Sequence, residues 1–345
     1  MDKLGRRGAM AGGLALLASM LWAGAALADN GPHVAGAGAT PDSCAACHRA
    51  HSAAGPELIK SGSSTDLCLT CHGSGSAGAT TDVSGGVLAN TTQGLLGGGF
   101  TKTVMNTSWN GSATAAYPAT SAHLIDGTTS ATMWGNGVTS STANPGKSGV
   151  ALTCINCHNP HGNGNFRILR PRPNDSGATA DVLVADETTK TYTVTNPQNR
   201  YFGEEYQATA YPSYSLTLWC AQCHTRYDAY DTGLTTPSDP GSVDSGDAVF
   251  RYRHATRTES TTCELCHPGP DGQMAAANPL GITSWVAMDP RCETCHVAHG
   301  SSAQEGAYSG SIPWPGGAIV PSGNGRSSLL RLDNRGICYG CHGNK

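Results

Sequence analysis

The chain has 345 residues, a formal net charge of −4 and a mean hydropathy of −0.27, with 45 Gly and 19 Pro but only 4 Phe. An acidic chain presents no broad basic surface, which disfavours nucleic acid and a polybasic membrane contact. So few large apolar side chains also argue against the one or two apolar-cored domains usual at this length.

Residues 1–28 read as a signal peptide. Lys3, Arg6 and Arg7 precede a small-apolar run from Ala9 to Ala28, and Ala26-Leu27-Ala28 fits a cleavage site before Asp29. An uncleaved membrane anchor is the alternative, because the run approaches spanning length. Removing this segment takes away Lys3, Arg6 and Arg7 against Asp2 alone, leaving the remainder more acidic. Residues 29–73 read as an N-terminal two-motif module holding His33, Cys44-Ala-Ala-Cys47-His48, His51 and Cys68-Leu-Thr-Cys71-His72. Residues 74–151 carry no cysteine and are rich in Gly, Ser, Thr, Ala and Asn, as in Leu96-Gly-Gly-Gly-Phe100. Such a composition is compatible with disorder. Trp109, Tyr117, Leu124, Ile125, Met133 and Trp134, with His123 among them, argue instead for an ordered loop region packed on something large and apolar.

Residues 152–345 hold the other five motifs: Cys154-Ile-Asn-Cys157-His158, Cys220-Ala-Gln-Cys223-His224, Cys263-Glu-Leu-Cys266-His267, Cys292-Glu-Thr-Cys295-His296 and Cys338-Tyr-Gly-Cys341-His342. Between them, Ile168 to Pro173 is expected to be extended. Val182–Ala185 with Thr191–Val194 reads as a small β-hairpin, and Ile282–Met288 as a short strand. Asp231–Asp247 and Gly306–Gly325 are Gly/Pro-rich loops.

The seven motifs use all 14 cysteines. Cys-x-x-Cys-His is the attachment pattern for c-type haem: two thiols one helical turn apart bond to the porphyrin vinyl groups, and the following imidazole falls beneath the iron. Disulfides or zinc sites could also use Cys-x-x-Cys pairs. Neither needs a histidine after the second cysteine, and 13 histidines in 345 residues do not supply one after all seven pairs by chance. The expectation is seven covalently bound haem c groups, held by Cys44, Cys47, Cys68, Cys71, Cys154, Cys157, Cys220, Cys223, Cys263, Cys266, Cys292, Cys295, Cys338 and Cys341. The proximal iron ligands are His48, His72, His158, His224, His267, His296 and His342. The haems then form the core. The expected fold is mostly irregular, with short helices at the motifs, a few small β-hairpins and long Gly/Ser/Thr-rich loops.

Six histidines remain as distal candidates: His33, His51, His123, His161, His254 and His299. His51, His161 and His299 each stand third after a proximal histidine. A side chain there starts on the proximal side of its own haem, so it reaches a neighbour's iron instead. The count leaves one iron short of a histidine, open to Met105, Met133, Met274, Met288, another side chain or water.

The doubled modules, Cys44 to His72 and Cys292 to His342, resemble those of multihaem c-type cytochromes, with Cys154 to His224 as a stretched version. That resemblance implies long-range electron transfer by a heptahaem cytochrome along closely stacked haems, in a periplasmic, cell-surface or extracellular setting. It extends to cytochromes that polymerise into filaments, so a homopolymer with haem contact or ligation between subunits is an expectation. Partners are then redox proteins or an extracellular acceptor. The alternative is a reductase of a small nitrogen or sulfur oxyanion working at the incompletely ligated haem; otherwise the polypeptide has no catalytic residue of its own.

Overall fold

The computed structural model describes residue 33 and residues 43–74, 79–104, 116–133, 147–184, 214–224, 292–303 and 329–331. Residues 1–28, His254, the fifth and seventh motifs and the expected strand at Ile282–Met288 lie outside the described residues.

Helices occur where the attachment pattern requires a turn. They are α1 (Ser43–Cys47), α2 (Ser64–His72), α3 (Cys154–Cys157), α4 (Tyr214–Ala221) and α5 (Cys292–Cys295). The longer α2 is started by Ser63, whose hydroxyl accepts from the Asp66 amide at 3.0 Å, with Asp66 itself in the first turn where a negative charge suits the helix dipole. Thr153 and Asn156 cap α3 by a reciprocal box. Helices α2 and α3 pack together, as do α4 and α5, so the second motif meets the third and the fourth meets the sixth.

The strands are two to four residues long and pair in twos. β1 (Thr81–Asp82) joins β2 (Val87–Leu88), β3 (Lys102–Thr103) joins β4 (Tyr117–Pro118), and β6 (Ala131–Met133) joins β7 (Lys147–Val150). The fourth pair is long-range: β5 (Ser121–Ala122) lies antiparallel to β8 (Gly300–Ser301), with Ser121 opposite Ser301. It ties the cysteine-free region to the turn after the sixth motif.

Among the described residues the apolar core is small. Phe166, Leu169 and Val184 are buried together, with Val182, Leu216 and Trp219 packed against them. The Trp219 indole donates to the Arg170 carbonyl at 2.6 Å, fixing α4 to this cluster. Val182–Val184 forms no strand. Its backbone bonds back to the segment it follows, Val182 N to Pro171 O and Phe166 N to Val184 O, both at 2.9 Å. Burial of Val184 beside Phe166 outweighs the alternation that suggested a hairpin arm, whose remainder lies outside the described residues. Among the described residues no helix is long and apolar enough to cross a membrane.

Candidate haem sites and their axial histidines

Each described motif is one helical turn with the histidine amide bonded back to the first cysteine. His48 N reaches Cys44 O at 2.8 Å, His158 N reaches Cys154 O at 2.9 Å, His224 N reaches Cys220 O at 3.0 Å and His296 N reaches Cys292 O at 2.9 Å. That bond sets the two thiols on one side and turns the imidazole beneath them. The ten described cysteines form no disulfide, and among the described residues no three His, Cys, Asp or Glu converge as a metal cage.

A larger unit repeats three times. After the motif the chain loops out and returns so that His48 bridges Ile59, His158 bridges Leu169, and His296 bridges Leu330. Two further bonds recur. The residue after the histidine donates to a returning carbonyl, Arg49 to Leu58, Asn159 to Ile168 and Val297 to Leu329, at 2.7–2.8 Å. A basic residue then donates its amide to the second cysteine, Lys60 to Cys47, Arg170 to Cys157 and Arg331 to Cys295, at 2.8–2.9 Å. The return is made through left-handed backbone at Glu57 (φ 58°) and Leu58 (φ 61°), at Arg167 (φ 52°) and Ile168 (φ 54°), and at Leu329 (φ 60°). Non-glycine residues seldom take that conformation, least of all a β-branched one.

What the strained turn does is aim a carbonyl at the motif histidine. His48 Nδ1 lies 3.0 Å from Glu57 O, and His158 Nδ1 lies 2.8 Å from Arg167 O. A carbonyl only accepts, so the proton must be on Nδ1 and the lone pair on Nε2. That is the tautomer an iron ligand needs, fixed by its outer partner. His72 meets a hydroxyl instead, Thr81 Oγ1 at 3.0 Å.

The distal candidates are held the same way, by carbonyls of other motifs. His33 Nδ1 donates to Pro160 O at 2.9 Å, and His123 Nδ1 to Ala298 O at 2.6 Å. Pro160 and Ala298 are equivalent, each being second after a motif histidine and just before His161 or His299.

Four pairs of imidazoles result. His48 faces His161 with centroids 6.3 Å apart and planes at 12°. His72 faces His33 at 6.0 Å and 74°, His224 faces His123 at 6.3 Å and 52°, and His158 faces His299 at 6.4 Å and 58°. Two imidazoles bound to one metal through bonds of about 2 Å, with each ring nitrogen about 1 Å from its centroid, stand about 6 Å apart. All four separations fit iron between the rings. His161 therefore faces the histidine of the first motif and not that of its own, and His299 faces the histidine of the third. His51 is exposed and has no ring partner among the described residues.

Burial pushes His72, His123 and His158 below the ordinary imidazole range, and His299 down to about 3, while each ring keeps part of its surface open. Neutral rings are the form that ligates. The attachment thiols meet as well. A hydrogen bond between Cys68 and Cys154 holds Cys154 down to about 7 and raises Cys68. Desolvation, then the charge of Cys223, pushes Cys157 up to about 12. The second motif thus touches the third by its thiols, and the third approaches the fourth.

Glu57, Arg167, Pro160 and Ala298 act through backbone carbonyls, which leave no residue-type signal; the recurring apolar pair followed by Lys or Arg, as in Leu58-Ile59-Lys60 and Ile168-Leu169-Arg170, was the visible trace. Thr81 is the side-chain exception, and its effect is measurable. Thr81→Val removes the hydroxyl that meets His72 Nδ1, which should raise one haem potential by up to roughly 40 mV, the equivalent of about 1 kcal/mol for one hydrogen bond. Thr81→Ser should leave potentiometric titration unchanged.

Residues 37–77 match the family described as the doubled CXXCH motif. The chain carries the doubled motif of multihaem c-type cytochromes, and its Cys-x-x-Cys-His motifs indicate covalently bound haem c. No curated protein and no solved structure matches the chain.

Proposed function

We propose that the protein is an exported electron conduit of seven haem c groups, in which histidines of one motif complete the iron coordination of another. Bound haem supplies one-electron Fe(III)/Fe(II) exchange, and the polypeptide sets spacing, ligation and potential. One observation carries the reading: the third residue after a motif histidine stands across an iron-spanning gap from the histidine of a different motif, twice over. A single short turn then serves two irons, so neighbouring haems are locked at close range. The same turn offers its middle carbonyl to the axial histidine of a third. Close packing also couples the sites. At roughly 10 Å and an effective dielectric near 20, one added electron opposes the next by about 1.7 kcal/mol, about 70 mV.

The expected potentiometric titration is therefore broad and overlapping, with low-spin haems indifferent to cyanide, nitrite and carbon monoxide. A single sharp Nernst wave contradicts the coupling. Turnover of nitrite, hydroxylamine or a sulfur oxyanion at a high-spin haem would make the chain a reductase.

The ligand exchange also has a direction. His161 serves the first motif and His299 the third, each one module back along the chain. We assign the exposed His51, which has no ring partner among the described residues, to a haem of a second copy of the chain. Electron micrographs of cell-surface material should show filaments containing this chain, lost in His51→Ala; monodisperse particles of the unsubstituted protein reject the assignment.

A further inference from the structure

His299 is held differently from five other axial candidates. His33, His48, His72, His123 and His158 each have an Nδ1 hydrogen bond to a carbonyl or hydroxyl. The exposed His161 has water available to it. Nδ1 of His299 is buried and closes no hydrogen bond of good geometry, although the Gly98 backbone lies near enough to be felt.

Two residues of the cysteine-free loop keep it so. Phe100 lies on the imidazole, with centroids 4.7 Å apart and planes at 30°. Gly97 runs along the ring edge, where a β-carbon would lie 3.1 Å from Nδ1 and 3.3 Å from Cε1. The Gly97 carbonyl accepts from the His299 amide at 2.7 Å and makes no bond to the ring. Gly98, at φ +70°, bridges Gly300 so closely that a β-carbon would strike the Gly300 carbonyl. The three glycines thus bring bare backbone and one aromatic ring against a histidine distant in sequence.

Donation from Nδ1–H gives an imidazole more anionic character, which makes it a stronger ligand and favours ferric iron. An apolar face in place of an acceptor works the other way. We propose that Gly97 and Phe100 are tuning residues that leave His299 Nδ1 without a well-formed hydrogen bond, giving the iron shared by His158 and His299 a higher reduction potential than the iron shared by His48 and His161. This rests on the haem reading above. The placement suits a resting point for electrons: His158 and His161 share a turn with the first-motif site, His296 and His299 share one with the sixth, and Cys154 touches Cys68 of the second.

The test is EPR-monitored potentiometry of the full-length, haem-loaded protein. Gly97→Ser places a hydroxyl beside Nδ1, and Gly97→Ala adds the same β-carbon without an acceptor. The serine variant should lower the potential of one crossed-plane low-spin signal relative to the alanine variant, with the others unmoved. Phe100→Leu should change the g-values of that same signal. In the unsubstituted protein, that crossed-plane signal should be lost on reduction before the near-parallel one, since the His158–His299 planes are 58° apart and the His48–His161 planes 12°. Loss of the near-parallel signal first, or identical titrations of the serine and alanine variants, overturns the proposal. Failure of the haem reading looks different: a haemochrome assay without covalent haem, or no low-spin signal at all, would overturn both together.

Discussion

Replacing His161 with alanine should abolish a low-spin signal with near-parallel ligand planes while leaving all covalent haem in place. His161 follows His158 by three residues, so a local view would assign its loss to the third motif. The ring pairing assigns it to the first, because His161 faces His48 with planes 12° apart. The altered site should become high-spin and bind carbon monoxide. The His158–His299 signal, with crossed planes, should persist. His299→Ala should give the reverse: one crossed-plane signal is lost and the near-parallel one stays. Magnetic and optical spectra of the two variants side by side decide the assignment. If His161→Ala instead disturbs a crossed-plane signal and spares the near-parallel one, the exchange between motifs is wrong.

The second large effect concerns folding. Protein made without haem attachment, or with the cysteines replaced by alanine, should show no cooperative thermal transition and little amide protection. Among the described residues, Ile59, Leu95, Leu96, Val104 and Val150 are buried outside the one apolar cluster, which has three members. Burial on that scale does not offset the conformational entropy of ordering so many loop residues. The strands, at two to four residues, are also too short to stand alone. A haem-free chain that melts cooperatively would show that the polypeptide holds itself together.

Local features were legible in the sequence, and long-range ones were not. The attachment motifs announce themselves because two thioethers and one imidazole must occupy fixed positions on one turn. The third-residue histidines were legible for the same reason, since a fixed offset restricts which face they can reach. Their partners were not legible: the pairing of His33 with His72 or of His123 with His224 depends on how separate loops return. Leu96-Gly-Gly-Gly-Phe100 read only as part of a Gly-rich loop, and its role appears when Gly98 lies against Gly300 and Phe100 on His299. Tyr214–Ala221, running into the fourth motif, is a helix anchored by Trp219, a shape given by its packing on Arg170 and not by a local pattern. The region 74–151 reads as an insertion by composition. In three dimensions its described parts supply Thr81 to His72, His123 to His224 and Phe100 to His299.

The most direct test of the conduit is transient absorption after photochemical injection of one electron into the dilute, fully oxidised protein. The account predicts that the electron redistributes among haems within one molecule, at a rate independent of protein concentration, and settles at the site of highest potential. A rate that scales with concentration, or an electron that stays at the haem of entry, would contradict it.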